Sequence, residues 1–447
     1  MNPMSIGASG HPPAERGGRT IVVGAGIAGL VCATELERAG RRVLLLEREA
    51  VVGGRVRSEL RDGFRIDRGF QVLFTAYPVL GAYLDQTALE LRRFEPAARI
   101  ALPTGTATIG DAIRDPSLLP ALIRASHVGV GVGDLWRLLR LRRLATRLSV
   151  EECFASRYAD VSTSAFLRQR GFTAQAVGRF FAPFYGGILL DRQLESSASV
   201  MLFTFKMLAS GDIALPASGM GAITKQLASR LRVAELRTSA EVTAILAEGG
   251  RAAGVVLSDG SVERADDIVL ATDAPASARL AAAIGVRLTL PSHGRGCTTL
   301  YLASREPLLP GAALTLNATP NATISHAITL TDVAPEYGPR GAHLIAMTAV
   351  GDSAEVDDAL LTSRAIAELA MMRHARIVEE PDVVAIVRVP YAQFSHPPGY
   401  HRHRAEPATP LPGLWLGSEV LHSSSLDGAA RGGREAAKAV ASSVRTT

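Results

Sequence analysis

Residues Thr20 to Arg55 read T-I-V-V-G-A-G-I-A-G-L-V-C-A-T-E-L-E-R-A-G-R-R-V-L-L-L-E-R-E-A-V-V-G-G-R. Ile21 to Val23 is a short β-branched apolar run, the pattern of a strand buried on both faces. Gly24, Gly26 and Gly29 follow in G-x-G-x-x-G spacing. The first glycine allows the tight turn, the second lets backbone approach a pyrophosphate, and the third lets a helix lie close to the strand. The helix opens at Ile27 and Ala28, whose N-terminal amides suit an anion. Leu30, Ala33 and Leu36 recur at helical spacing up to Gly40, which is placed to end the helix in a left-handed conformation. Val43 to Leu46 is a second buried strand, and Glu47 at its end is positioned to accept both hydroxyls of a ribose. Strand, glycines, helix, strand and acid in register predict an adenine-dinucleotide site.

The rest of the composition limits the alternatives. A chain of 447 residues suggests two domains. With 47% hydrophobic and 20% charged residues it is a folded globular protein and not a disordered one. The formal charge of +5 comes almost wholly from scattered arginines, since Lys206, Lys225 and Lys438 are the only lysines. No dense basic stripe with interleaved aromatics occurs, so no nucleic-acid partner is expected. Cys32, Cys153 and Cys297 are far apart and lack metal-ligand spacing, which points to a reducing compartment and no zinc site. Residues 1–18 carry no apolar h-region and read as a disordered lead-in. No run reaches the ~18 apolar residues of a spanning helix. The expected location is the cytoplasm, free or peripheral to the inner face of the membrane.

The residues after Glu47 narrow the cofactor. Arg48, Gly53, Gly54 and Arg55 add a second glycine pair and a guanidinium near the same pyrophosphate. This E-R-x-x-x-x-G-G-R continuation resembles the flavoprotein superfamily of amine oxidases, protoporphyrinogen oxidases, phytoene desaturases and carotenoid isomerases, and the resemblance implies FAD. It continues in Gly63, Phe64, Asp67, Gly69, Phe70 and Gln71, matching the family's G-[FY]-x-x-D-x-G segment, which implies that Phe70 and Gln71 lie beside the flavin. Phe64, Ile66 and Phe70 can equally alternate into a core.

From Tyr77 to about Ser210 the periodicity is helical, with breaks at Pro96, Pro103, Pro116, Pro120 and Pro183. In the family this insertion is the helical part of a substrate domain. Asp134 to Leu148 places Arg140, Arg143 and Arg147 on one helix face beside Leu138, Leu141, Leu144 and Leu148; such a face is either solvated or rests on an anionic bilayer. Phe180 to Leu190, F-F-A-P-F-Y-G-G-I-L-L, resembles a family segment passing near the substrate cavity, which makes Tyr185 a candidate for the pocket wall beside a core reading. Leu215 to Leu231 resembles the family's P-x-G-G-M turn and helix. Strand signals follow at Glu241 to Leu246, Ala252 to Leu257, Val262 to Arg264 and Ile268 to Leu270. In relatives the first of these presents backbone to the adenine, a role that carries over to Val242; Thr272 ends the last one beside the dinucleotide. Cys297 to Leu302 and His343 to Val350 read as strands, Asp357 to Met372 as a helix. His401 and His403 have the spacing of two metal ligands, but nothing nearby completes a site.

Gly413 to Ala437, G-L-W-L-G-S-E-V-L-H-S-S-S-L-D-G-A-A-R-G-G-R-E-A-A, resembles the family's closing motif with Glu419 on its aspartate and Ser418 in place of a glycine. That alignment implies that Glu419 accepts from ribityl hydroxyls. The helix beginning near Leu426 and Gly428 then points its positive end at the pyrimidine edge of the flavin, where charge gathers on reduction.

The fold class expected is α/β: a discontinuous Rossmann-like FAD-binding domain (residues 19–76, 211–280 and 400–447) with an interleaved α+β substrate domain (77–210 and 281–399). No second G-x-G-x-x-G follows a strand, so the electrons are expected to come from the organic substrate. The expected function is an FAD-dependent oxidoreductase of desaturase or amine-oxidase type, which moves hydride from a mostly apolar small molecule to flavin N5 and passes the electrons to dioxygen or a quinone. Gln71 and Tyr185 are the candidate catalytic residues. No lysine falls near Thr298 to Ser304, where amine oxidases of the family often carry one, which favours desaturation. No cysteine follows Cys297, so the FAD is expected to be non-covalent. The rival readings are a redox-neutral flavin-dependent isomerase or mutase, and a flavin-binding protein without turnover.

Overall fold

The structure is a computed structural model, and it describes residues 18–291 and 293–443. The expected lead-in lies outside the described residues except for Gly18. Arg19–Val23 forms the centre of a five-stranded, wholly parallel sheet in the order Glu235–Arg237, Arg42–Leu46, Arg19–Val23, Asp267–Leu270, Leu414–Leu416. Val23 pairs with Leu46 on one side and Leu270 on the other, so three strands end at one level. Side chains alternate across this sheet. Val22, Leu45 and Val269 pack against the Ile27–Arg38 and Leu426–Ser443 helices. Ile21, Leu44, Ile268 and Leu270 pack against Val242, Ile245 and Val255 of an antiparallel meander, Val242–Glu248, Arg251–Leu257 and Val262–Arg264.

Small residues set how closely these layers approach. A Cβ on Gly29 would stand 1.8 Å from the Gly24 carbonyl oxygen, and one on Gly433 2.0 Å from that of Ala28. The first contact seats the Ile27–Arg38 helix on its strand, and the second seats the C-terminal helix on the first. Gly40 adopts φ +77° beyond the helix end, as its position predicted.

A second sheet has seven strands in the order Asp382–Phe394, Gly294–Ser304, His343–Val350, Ile324–Thr329, Leu314–Asn317, Ala97–Leu102, Gly105–Gly110. One face packs against the Asp358–Arg373 helix through Leu361, Ala365, Leu369 and Met372. The other looks toward helices drawn from residues 119–210. The Ala97–Leu102 and Gly105–Gly110 hairpin departs from the helical texture expected after Tyr77. Its six paired positions extend the sheet by two strands. The Asp134 to Leu148 pattern does form a helix, Val132–Arg147, with Arg140, Arg143 and Arg147 exposed and Leu141 and Leu148 buried. The same helix leaves Val132, Trp136 and Leu139 exposed. Among the described residues no helix is long and apolar enough to cross a membrane.

Candidate functional site

One cavity of about 560 Å³ runs from the carboxyl ends of the parallel strands to the helix-facing side of the seven-stranded sheet. Ligand sites in open α/β sheets lie outside such strand ends, and the volume is that of a small-molecule site. At its first end the wall is Gly24, Gly26, Ile27, Ala28, Glu47, Arg48, Gly54 and Arg55. Gly24 turns at φ +100° and donates its amide to Leu46. A Cβ on Gly26 would meet nothing within 4 Å, so the second glycine leaves bare backbone facing the cavity. Gly53 and Gly54 have φ of +124° and +56°, and Gly53 donates to the Ala25 carbonyl at 2.9 Å, which holds the second glycine pair beside the first.

Glu47 is buried, and its carboxylate accepts from the amides of Ala25 at 2.8 Å and Glu49 at 3.0 Å. One bond to each oxygen fixes the group and leaves acceptor positions over for ligand hydroxyls. Val242 and Thr272 line the same end, with the Thr272 hydroxyl 2.8 Å from that of Ser277. Gly29 and Gly428 do not line the cavity. Both act through packing, Gly428 because a Cβ there would stand 2.0 Å from the Ser423 carbonyl oxygen.

Farther along, Arg55 is not a free cation. Its guanidinium is ion-paired with Glu419 and donates to the Ala392 carbonyl at 2.9 Å. Burial works against the charge on Arg55, and Glu419 outweighs it and raises the guanidinium above its ordinary value. Glu419 is buried and therefore reaches the cavity as half of a pair spanning 364 residues. Ser418 is extended at φ −132°, so the glycine of the family motif is not required there for backbone freedom. Leu426 lines the cavity and opens the Leu426–Ser443 helix, whose Asp427 accepts from the amides of Val79 and Leu80 at 2.8 and 2.9 Å.

The structure separates the aromatic candidates. Phe64 and Ile66 lie in the core, whereas Phe70 lines the cavity. Gln71 lines the cavity and donates from its carboxamide nitrogen to the carbonyls of Arg55 at 2.7 Å and Arg68 at 3.1 Å, which leaves its buried Oε1 without a partner. It therefore offers an acceptor and not a donor. Tyr185 does not line the cavity: it is fully buried among Phe181, Phe184 and Phe205, and its hydroxyl has no partner. The chain between them explains the difference. A π-helical turn at Val177–Phe181 runs into the Ala182–Ile188 helix, which turns Phe184 and Gly187 to the cavity and Tyr185 inward.

Asp67, quoted above only as part of a motif, is a joint. Its buried carboxylate accepts from Ser58, from Met220 N at 3.0 Å and from Tyr337 OH at 2.8 Å, while its carbonyl accepts from Tyr301 OH at 2.9 Å. It ties the segment leading to Phe70 and Gln71 to the seven-stranded sheet through Tyr301. The sequence also left His326, Cys297, Arg388 and Gln393 unassigned, and all four line the cavity. Of these only His326 carried a signal, a histidine inside the strand-like run I-S-H-A-I-T. His401 stacks on Phe154 at 5.0 Å, and among the described residues no cluster of three or more acids, histidines or cysteines is arranged for a metal.

The chain is similar to proteins of three chemistries. It is 31% identical over 288 residues to a phytoene dehydrogenase of Streptomyces griseus, covering 58% of this chain and 55% of that one. It is 29% identical over 276 residues to prolycopene isomerase 2 of an Oncidium hybrid cultivar, covering 54% and 46%. The chain thus spans about half the length of the curated relatives it matches. A redesigned putrescine oxidase superposes with a TM-score of 0.70 at 18% identity, over 95% of this chain and 99% of that one, a likeness of fold. The family model described as flavin containing amine oxidoreductase matches residues 27–441. With that match added to the glycine turn, the buried Glu47 carboxylate and the C-terminal helix that meet along one cavity, the chain belongs to the flavin-containing amine oxidoreductase family.

Proposed function

We propose that this protein binds FAD without a covalent link and dehydrogenates a mostly apolar small molecule. The observation that carries the reading is continuity. The strip lined by Glu47, Gly26, Gly54 and Glu419 opens within the same cavity onto Phe70, Phe184, Ile188, Leu190, Phe203 and Val389. A dinucleotide fits the first part through the remaining lone pairs of Glu47, the bare backbone at Gly26 and the helix start at Ile27 and Ala28. The Val242 backbone suits the adenine, Glu419 the ribityl hydroxyls, and the helix start at Leu426 the flavin end. When bound, the flavin supplies a two-electron acceptor at N5 for hydride from a substrate C–H. The chain's own contribution is to hold that C–H in place and keep water away with apolar walls, and to stabilise charge with a helix N-terminus. Dioxygen or a quinone then reoxidises the protein.

Two features support the finer points. None of the three lysines lines the cavity, which favours C–C over amine oxidation. Cys297 lines it, but burial pushes its thiol up to about 11, so the thiolate that a covalent flavin link needs is not formed at neutral pH. The similarity to a prolycopene isomerase supports a second reading, redox-neutral isomerisation on reduced flavin. Anaerobic mixing of the yellow protein with polyenes, apolar alcohols and amines separates them. Bleaching of the flavin by substrate is expected. Product formed only after dithionite reduction would replace dehydrogenation by isomerisation, and silence in both states would leave a binding protein. The exposed Val132, Trp136 and Leu139 beside Arg140, Arg143 and Arg147 support a place of work resting on an anionic bilayer.

A further inference from the structure

His326 is the only imidazole among the described residues lining the cavity. It sits on the Ile324–Thr329 strand, is 4% exposed, and neither of its ring nitrogens has a partner. A buried polar atom left unpaired costs about 1–3 kcal/mol, so a native fold that keeps two of them in a ring bordering a cavity calls for an occupant. Nor is the ring there by default, since the chain makes room for it. Gly187 packs its Cα against the imidazole, and a Cβ there would stand 2.6 Å from Nδ1. Phe70 contacts the other side with ring centres 5.3 Å apart.

We infer that His326 anchors an uncharged hydrogen-bonding group of the substrate, a hydroxyl or a carbonyl, so that the molecule taken up is an apolar body with one polar position and not a bare hydrocarbon. The inference rests on the dehydrogenase reading for the word substrate, and on the cavity alone for the ligand chemistry. Burial, with the Arg192 guanidinium nearby, pushes the imidazole down to about 4, so it is neutral at working pH and offers one donor and one acceptor. Arg192 itself is taken up by the carbonyls of Ala322 at 2.6 Å and Asn317 at 3.4 Å. A protonated amine finds no counter-charge at this place: the acids lining the cavity, Glu47, Glu49, Glu241, Asp273 and Glu419, belong to the strip assigned to the cofactor. A carboxylate at the imidazole would draw on the Arg192 guanidinium, whose charge Glu368 already offsets.

The test uses the oxidised, flavin-loaded full chain and four probes of one length: octan-1-ol, 2-octanone, octylamine and octane. Binding is read from the shift of the flavin absorbance, without turnover. The alcohol or the ketone should bind at least tenfold more tightly than octane and octylamine. His326→Leu should bring all four within about threefold, and His326→Gln, which keeps a donor and an acceptor, should restore part of the preference. Equal affinity for octanol and octane in the wild type, no binding of any probe, a preference for octylamine, or a preference surviving in His326→Leu would each overturn the assignment. Dehydrogenation is read separately by bleaching, so a probe that binds through His326 under anaerobic conditions without bleaching the flavin counts against the dehydrogenase reading alone.

Discussion

Replacing Asp67 by alanine removes the joint between the two halves of the cavity wall, and the structure sets the expected cost. Asp67 is 3% exposed, and its carboxylate receives three hydrogen bonds. The Ser58 hydroxyl can turn elsewhere, because its oxygen still accepts from Gly221 N at 2.8 Å. The Met220 amide and the fully buried Tyr337 hydroxyl cannot. Each stranded donor costs about 1–3 kcal/mol, so Asp67→Ala should lose about 2–6 kcal/mol. Asp67→Asn keeps an oxygen for Ser58 and Met220 and turns its NH₂ toward the Tyr337 oxygen, so it should lose less than half as much. Burial holds the Asp67 carboxyl above its ordinary range despite these bonds. The wild type therefore has a contribution that is full below about pH 4 and shrinks as pH rises through the raised value, whereas asparagine does not titrate. The deficit of Asp67→Asn should accordingly narrow on going from pH 4 to pH 7. Urea unfolding followed by circular dichroism measures all three. An alanine variant within about 1 kcal/mol of wild type, or an asparagine variant as damaged as alanine, would refute the hub.

Glu47→Ala should purify colourless or lose flavin on dilution. Two charge-assisted bonds at about 1.5–3 kcal/mol each correspond to at least a hundredfold weaker binding, and equilibrium dialysis checks this. Glu419→Ala removes the partner of Arg55 and should weaken flavin binding and slow anaerobic flavin reduction at least tenfold in a stopped-flow assay. Burial pushes His326 down to about 4 and His396 to about 3, so each contributes stability that is full above pH 6.5 and lost as pH falls toward those values. The unfolding free energy from urea titrations should drop between pH 6.5 and 4 by up to about 1.4 kcal/mol per pH unit for each histidine, and His326→Leu should flatten the slope. Vesicles rich in phosphatidylglycerol should sediment the protein at low salt while phosphatidylcholine vesicles do not, and Trp136→Ser with Arg143→Glu should abolish the difference.

What was legible from the sequence was what adjacent residues impose on one another. Gly24, Gly26 and Gly29 announce a turn and a close helix because the constraint lies within six residues, and Glu47 is reached one strand later. The glycines beside Arg55 point to a pyrophosphate; its pairing with Glu419 depends on a fold that closes over 364 residues. Tyr185 shows the limit of composition: an aromatic run signals burial but not which side of a helix meets a cavity, and the π-helical turn before it decides that rotation. The Ala97–Gly110 hairpin is hard to see in the sequence because its strands are only six residues long and Pro96 and Pro103, which flank the first of them, mark breaks in a helical pattern. His326 and Asp67 gain their meaning only from Gly187, Phe70, Tyr301 and Tyr337, all distant in sequence.

The order of the parallel sheet bears on how the chain comes to be folded. Its central strand, Arg19–Val23, is made well before its partner Asp267–Leu270, and the outer edge of that partner is covered only when Leu414–Leu416 emerges. Until then a fully apolar strand, Ile268 to Leu270, presents an unpaired edge of the kind that recruits foreign strands. Such long-range parallel pairing is also slow to form. The last strand is therefore a closing clasp as well as a carrier of Glu419. Growth at low temperature or with abundant chaperones should raise the soluble yield, and chains cut short before Leu414 should aggregate during translation.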